Sequence, residues 1–288
     1  MYFKSQSKFS KKEVANYYDC CQKYCNLLWA DKESRSYHYG YWYRDTKSKE
    51  EANLNPYREI IKYLKPKKGE LILDAGCGTG GASIWLSKNT KANFVGITLS
   101  NKQLKLAKRY SDKEQASDKI RFYQKDYFKT NFPRNKFDKI FAIESFCYGF
   151  PNTKDLFKEM YRILKKNGTL IMIDGVLLRK PSNKYEEKLA QGFLRGWRLS
   201  GGYTKDEIID FFKKAGFKNV KFINKTDNIK KNLNKVYLMG RFLYLLLKPL
   251  KSIKAVPEIE FENTITMINQ KKLVEIGILG HGMFYAKK

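Results

Sequence analysis

The chain has 288 residues, 42% of them hydrophobic, enough to bury a substantial core in one large domain or a domain with insertions. Lysine and arginine number 57 against 29 acidic residues, a formal charge of +28 spread along the whole sequence with no arginine-rich tail and no nucleic-acid module. No apolar run is long enough to span a bilayer, no secretory leader opens the chain, and five cysteines (Cys20, Cys21, Cys25, Cys77, Cys147) without paired zinc spacing argue against a disulfide scaffold or a metal centre. A cytoplasmic protein with reduced thiols is expected. Its charge reads as a lysine-rich surface with weak peripheral attraction to an acidic membrane, and a nucleic-acid partner is disfavoured.

Residues 1–55 read as an aromatic-rich, mostly helical prelude. Val14, Tyr17, Tyr18, Cys21, Tyr24, Cys25 and Leu28 have helical spacing. Ser36-Tyr37-His38-Tyr39-Gly40-Tyr41-Trp42-Tyr43 is too aromatic for an ordinary loop. It is either a packed cap or a lid that closes over a reaction and excludes water. A helix over about 53–64 stops at Pro66, and residues 56–288 form the α/β domain proper.

That domain opens on Leu71-Ile72-Leu73-Asp74-Ala75-Gly76-Cys77-Gly78-Thr79-Gly80-Gly81, then helical residues. An apolar strand, a glycine-rich turn and a helix form the first crossover of a doubly wound sheet, where nucleotide-like ligands bind. The glycines also satisfy G-x-G-x-x-G, so the pattern alone serves two cofactor classes. Asp74 separates them. A pyrophosphate gains nothing from a carboxylate two residues before the first glycine, whereas the ammonium and sulfonium of S-adenosylmethionine do.

Further short apolar runs predict strands at 93–97, 120–124, 139–143, 169–174, 219–223 and 282–286. Helices are predicted at 82–88, 101–110, 153–165 (ending at Asn167-Gly168), from Thr204 in capping-box fashion, and at about 261–276. The alternation implies a doubly wound, mostly parallel seven-stranded sheet with ligands at the carboxyl ends of its strands. Residues 177–203 and 228–260 break the rhythm and are too long for plain loops, so they read as irregular substrate-cap insertions.

After the second strand, the acid that ordinarily holds ribose hydroxyls is missing. Thr98, beside Leu99, takes its place, with Gln103 one turn into the next helix, and both hydrogen-bond without charge. Asp126 at the end of the third strand is suited to an adenine amino group, with Tyr127 beside the ring; the alternative is a turn-forming Asx. Ile143 and Glu144 leave the fourth strand. Glu144 is a candidate general base or stabiliser of a substrate cation, and Tyr148 can do similar work. His38 is a further candidate base if the prelude is a lid, and His281 reads as structural.

In these residues the chain resembles the class I S-adenosylmethionine-dependent methyltransferases over nearly its whole length. Asp74 to Gly80 resembles that family's first motif. Gly96-Ile97-Thr98-Leu99-Ser100 with Gln103 is similar to the sterol C-methyltransferases, tocopherol methyltransferases and cyclopropane-fatty-acid synthases. Tyr18-Asp19, Trp29 and His38-Tyr39-Gly40 resemble the donor-covering segment of that group. The resemblance implies donor contacts from Tyr18, Asp74, Gly76, Cys77, Gly78, Thr98, Leu99, Gln103, Asp126, Tyr127 and Ile143, with no metal. The Glu-His pair of the cyclopropane synthases is replaced by Glu144-Ser145, so cyclopropanation is not implied.

The expected activity is methyl transfer to a small, apolar, isoprenoid or lipid-like acceptor, at carbon in preference to oxygen or nitrogen. Tyr39, Trp42 and Tyr148 offer aromatic faces to a cation. The leucine-rich stretch 236–250, with Tyr237, Phe242, Tyr244 and Leu247, either lines a pocket, rests on a bilayer, or packs as a core helix. An RNA or protein methyltransferase and a catalytically silent donor-binding protein are the competing classes.

Overall fold

The computed structural model describes residues 3–28 and 31–288, with the side chains of residues 21–28 outside the description. Trp29 and the side chains of Cys21, Tyr24, Cys25 and Leu28 therefore lie outside the described residues. A two-residue strand, β1 (Phe3–Lys4), precedes α1 (Lys11–Leu28), and residues 31–48 carry no regular element before α2 (Lys49–Leu64). Ser48 caps α2 by accepting the Glu51 N–H. Strand β2 (Leu71–Ala75) then turns into α3 (Gly81–Asn89) through Gly76, Gly78 and Gly80, all at positive φ, which a Cβ would oppose.

Next come β3 (Asn93–Thr98), α4 (Asn101–Lys113) capped by Ser100, β4 (Ile120–Gln124), β5 (Phe137–Ile143) and α5 (Thr153–Ile163). Strand β6 (Leu164–Leu177) starts earlier than its apolar run suggests. Leu164 already pairs with Phe137, so the helix before it ends at Ile163 and not near 165. Helix α6 (Lys184–Gly196), strand β7 (Gly201–Gly202), helix α7 (Lys205–Lys214) with its capping box at Thr204, and strand β8 (Lys218–Asn224) follow.

The stretch expected to be irregular from 228 is instead one 27-residue helix, α8 (Thr226–Ser252), followed by α9 (Glu258–Glu275) and β9 (Leu279–Lys287). Ile229, Leu233, Val236 and Gly240 recur at helical spacing and are buried, which makes α8 a helix. Leucines on its outer face obscure that period in the sequence.

The seven-stranded sheet runs β4-β3-β2-β5-β6-β9-β8. Neighbours from β4 through β6 are parallel, and β9 is antiparallel between β6 and β8. Alternate residues of the central strands feed opposite cores. Leu73 joins Phe157, Phe212 and Phe284 on one face, while Ile72 joins Tyr57, Phe141 and Met283 on the other. The strand order reverses around β2, which opens a crevice at the carboxyl ends of β2, β3 and β5.

The prelude is laid against that crevice. A Cβ at Gly81 would run into the Ser34 carbonyl oxygen and meet the Arg35 side chain at 3.1 Å, so the first turn of α3 accepts the prelude backbone only as glycine. Gly81→Ala should therefore cost about 1–3 kcal/mol of stability by urea unfolding, and should accelerate proteolysis within residues 31–48. Unchanged cleavage would mean that the prelude does not depend on this approach.

Candidate active site

Two cavities meet at the carboxyl end of β5. The first is the crevice itself, with Gly76, Cys77 and Gly78 on one side and Thr98, Leu99 and Gln103 on another. Tyr18, His38, Tyr127, Ile143, Glu144 and Tyr148 complete its walls. Asp74, at the end of β2, lines it too. Its carboxylate is buried and accepts the Ser83 hydroxyl at 2.7 Å, and burial pushes its pKa up to about 7. Thr98 Oγ1 donates to Gln103 Oε1 at 2.9 Å, and Ser100 Oγ accepts the Gln103 N–H at 3.0 Å.

Helix α1 is tied across this crevice. The Ser100 hydroxyl donates to the Asp19 carboxylate, and Lys102 Nζ donates to the Asp19 carbonyl at 2.7 Å. Asp126 is placed differently from the adenine-contact expectation. Its Oδ1 accepts the Phe128 N–H at 2.9 Å and its Oδ2 pairs with Lys11, while Lys125, Tyr127 and Phe128 face the crevice around it. This is the Asx turn with a second duty, clasping the start of α1.

The second cavity lies beyond Glu144. Its walls are largely apolar, from Met172, Val176 and Leu177 on β6, Phe193 and Leu194 on α6, and Ile229 and Leu233 on α8. Tyr18, Tyr37, Glu144 and Tyr148 belong to both cavities and form the partition. Tyr148 OH donates to the Trp197 carbonyl at 3.1 Å, so the 2.8 Å contact between Tyr148 and Tyr18 has Tyr18 as donor. Burial raises the Tyr148 phenol well above its ordinary range, so it stays neutral.

Polar groups in the second cavity cluster at the partition. Glu144 Oε1 accepts the Tyr39 N–H at 3.0 Å and the His281 Nε2–H at 2.9 Å. The carboxylate on Nε2 only accepts and so selects the tautomer that donates from Nε2, leaving His281 Nδ1 3.4 Å from the Tyr41 hydroxyl. Asp174 is buried nearby, accepts the Cys147 and Gly175 N–H groups at 2.9 Å each, and is pushed up to about 7 by burial and by the Glu144 charge. Thr153 Oγ1 lines the same cavity with no hydrogen-bond partner among the described residues.

Three placements differ from the sequence reading. His38 lines only the first cavity; its Nδ1 donates to the Tyr39 carbonyl at 3.0 Å, and burial lowers its pKa. His281, read as structural, instead joins Glu144 in the second. Trp42 faces neither cavity. Its indole N–H donates to Asn232 Oδ1 and Lys231 Nζ sits 3.7 Å above its ring. Asp174 and Thr153 were not singled out at all. Their only sequence signal was the carboxyl end of a predicted strand and the start of a predicted helix.

A family model described as mycolic acid cyclopropane synthetase matches residues 5–237. The sterol 24-C-methyltransferase of Pneumocystis carinii is 33% identical over 180 residues, 62% of this chain and 45% of that protein. Sterol 24-C-methyltransferase ERG6 of Saccharomyces cerevisiae is 29% identical over 203 residues, 69% of this chain and 50% of that one. The chain thus spans about half the length of the curated relatives it matches. The solved structure of the cyclopropane synthase MmaA2 from Mycobacterium tuberculosis shares the fold, with a TM-score of 0.81 and 18% identity over 99% of this chain and 100% of that one.

Asp74 gives the site a measurable pH signature. Its carboxyl titrates at about 7 when folded against an ordinary value of 3.8, so the unfolded chain releases this proton first. The group's contribution to stability is greatest at low pH and is lost as pH rises through about 7. Asp74→Asn removes that titration. Its melting temperature relative to the natural protein should rise between about pH 5 and about pH 8. Equal differences at the two pH values would contradict the burial argument.

Proposed function

The chain belongs to the mycolic acid cyclopropane synthetase family, and on that premise we propose that it is an S-adenosylmethionine-dependent methyltransferase acting at carbon on a small lipid or isoprenoid acceptor. The observation that carries this reading is the pair of cavities sharing one partition, a polar crevice at the strand ends and an apolar chamber behind it. Two substrates brought from opposite sides to one wall are held in near-attack geometry, the main resource for an in-line group transfer.

The crevice fits the donor. A Cβ at Gly78 would meet nothing within 4 Å, so backbone there is open to close approach. Thr79 Oγ1 and His38 Nε2 line the crevice, buried and without partners among the described residues, and His38 Nε2 is the bare acceptor of a neutral ring. Asp74 is suited to the donor's ammonium, Thr98 and Gln103 to its ribose hydroxyls, Tyr127 to its base, and Ile143 to its methionine end. When bound, S-adenosylmethionine supplies an electrophilic methyl group.

The chamber supports an apolar acceptor. When an alkene's π electrons take up a methyl group at one carbon, the neighbouring carbon becomes a cation, which is discharged when a proton leaves an adjacent carbon. Glu144 takes that role at the partition, with His281 holding its carboxylate in place and Tyr39 and Tyr18 presenting aromatic faces to the positive charge. The names of the sterol C-methyltransferase relatives support an acceptor of this class. Residues 1–55 serve as the lid, excluding water while the transfer proceeds.

Incubation with methyl-labelled donor and fractionated lipid and isoprenoid extracts should place label in an apolar product. Glu144→Gln should cut turnover about 100-fold or more while calorimetric donor affinity changes only a few-fold. Label confined to RNA or protein would reject the acceptor class, and donor binding with no labelled product would reject the activity.

A further inference from the structure

Helix α8 changes character halfway along. Its first half is seated in the protein, with Thr226, Ile229, Leu233, Val236 and Gly240 buried, and no later residue of the helix is buried. Over the same first half the outward face is polar: Asp227, Lys230, Lys231, Asn234 and Lys235. One turn further the outward face becomes apolar. Leu238, Phe242 and Leu245 are 66%, 62% and 68% exposed, and Leu246, Leu250 and Ile253 continue the ridge. A solvated face would have stayed polar, as the first half does. Scattered exposed apolar residues need no explanation, but five on one face of one helix, continued by Ile253 just past its end, do.

Cations surround the ridge. Arg241, Lys248 and Lys254 are exposed on or just past α8, and Lys251 is paired with Glu258 at 2.7 Å. Leu245 also borders a surface groove of about 950 Å³ between α6, α8 and α9. Lys184, Lys188, Arg195, Arg241 and Lys272 line it against a single acid, Glu187. No helix among the described residues is long and apolar enough to cross a membrane. A ridge of this kind flanked by basic residues lies on a bilayer, in the headgroup boundary.

We propose that the outer half of α8 docks on a bilayer containing anionic phospholipid, with the ridge in the acyl boundary and the groove gathering lipid phosphates. The same helix carries Ile229 and Leu233 into the acceptor chamber. Leu233 and Leu245 are twelve residues apart, about 18 Å along the axis, so the chamber stands close to the surface from which an apolar acceptor arrives. The docking itself is independent of the methyl-transfer reading; only the acceptor's route rests on it.

The test is co-sedimentation of the full chain, without donor or acceptor, with vesicles of phosphatidylcholine alone or with about a quarter phosphatidylserine. The chain should pellet with the anionic vesicles. Phe242→Asp combined with Leu245→Asp should weaken that binding about tenfold or more while circular dichroism and melting temperature hold, because both sites are exposed. Arg241→Glu with Lys248→Glu should weaken it comparably and flatten its salt dependence. Failure to pellet overturns the proposal, as does full binding by the apolar-face variant. Self-association abolished by that variant, without vesicle affinity, would show the ridge to be a contact between copies of the chain. Loss of methyl transfer with vesicle binding intact would instead count against the proposed activity alone.

Discussion

One carboxylate in an uncommon backbone conformation holds together the wall between the two cavities. Glu144 leaves β5 at φ +46, a left-handed conformation that costs a non-glycine residue about 1–2 kcal/mol. Its N–H is held by the Ile173 carbonyl at 2.7 Å, which fixes the turn against β6. The turned side chain then accepts from Tyr39 of the prelude and from His281 of the last strand. Three distant parts of the chain, otherwise able to dock independently, are registered on one group. The position of the prelude, the partition and the histidine tautomer all follow from that convergence.

The electrostatics of the two cavities run against those of the surface. The chain carries +28, yet the cations lining the crevice are already engaged. Lys11 is paired with Asp126, Arg35 with Glu114 at 2.6 Å, and Lys125 Nζ donates to the Thr130 carbonyl at 2.9 Å. Asp74 has a hydroxyl partner and a desolvated carboxyl displaced to about 7, and Asp174 is displaced to the same region behind the partition. Carboxylates kept out of water bind a cation more strongly than exposed ones do, because less hydration has to be removed. Such a site suits the ammonium and sulfonium of the proposed donor and a cation forming on the proposed acceptor.

What was legible in the sequence is what local chemistry decides. The glycine turn, the Ser100 and Thr204 caps and the short apolar strands are set by neighbours within a few residues, and the crossover fold follows from their order. Thr98 and Gln103 sit five residues apart, so their pairing was within reach. His281 was not legible, because its partner Glu144 lies 137 positions away and only the insertion of β9 beside β6 brings them together. The continuity of α8 was hidden for a different reason. Hydrophobic residues on both faces erase the periodicity that announces an amphipathic helix, and the buried face shows only once α9 is packed against it.

The same loss of periodicity carries information. A helical stretch apolar on both faces, as the outer half of α8 is, would ordinarily be buried all round, yet no residue of α8 after Gly240 is buried. Among the described residues no element covers Leu238, Phe242 or Leu245, and the lysines and arginines beside them are distributed as on an interfacial helix, not a core one. The lysine-rich composition alone would be uninformative, since basic residues occur on every surface. Basic residues bordering an uncovered apolar ridge, on the helix whose other end walls the apolar cavity, are a narrower observation, and it is this juxtaposition that the proposed membrane docking rests on.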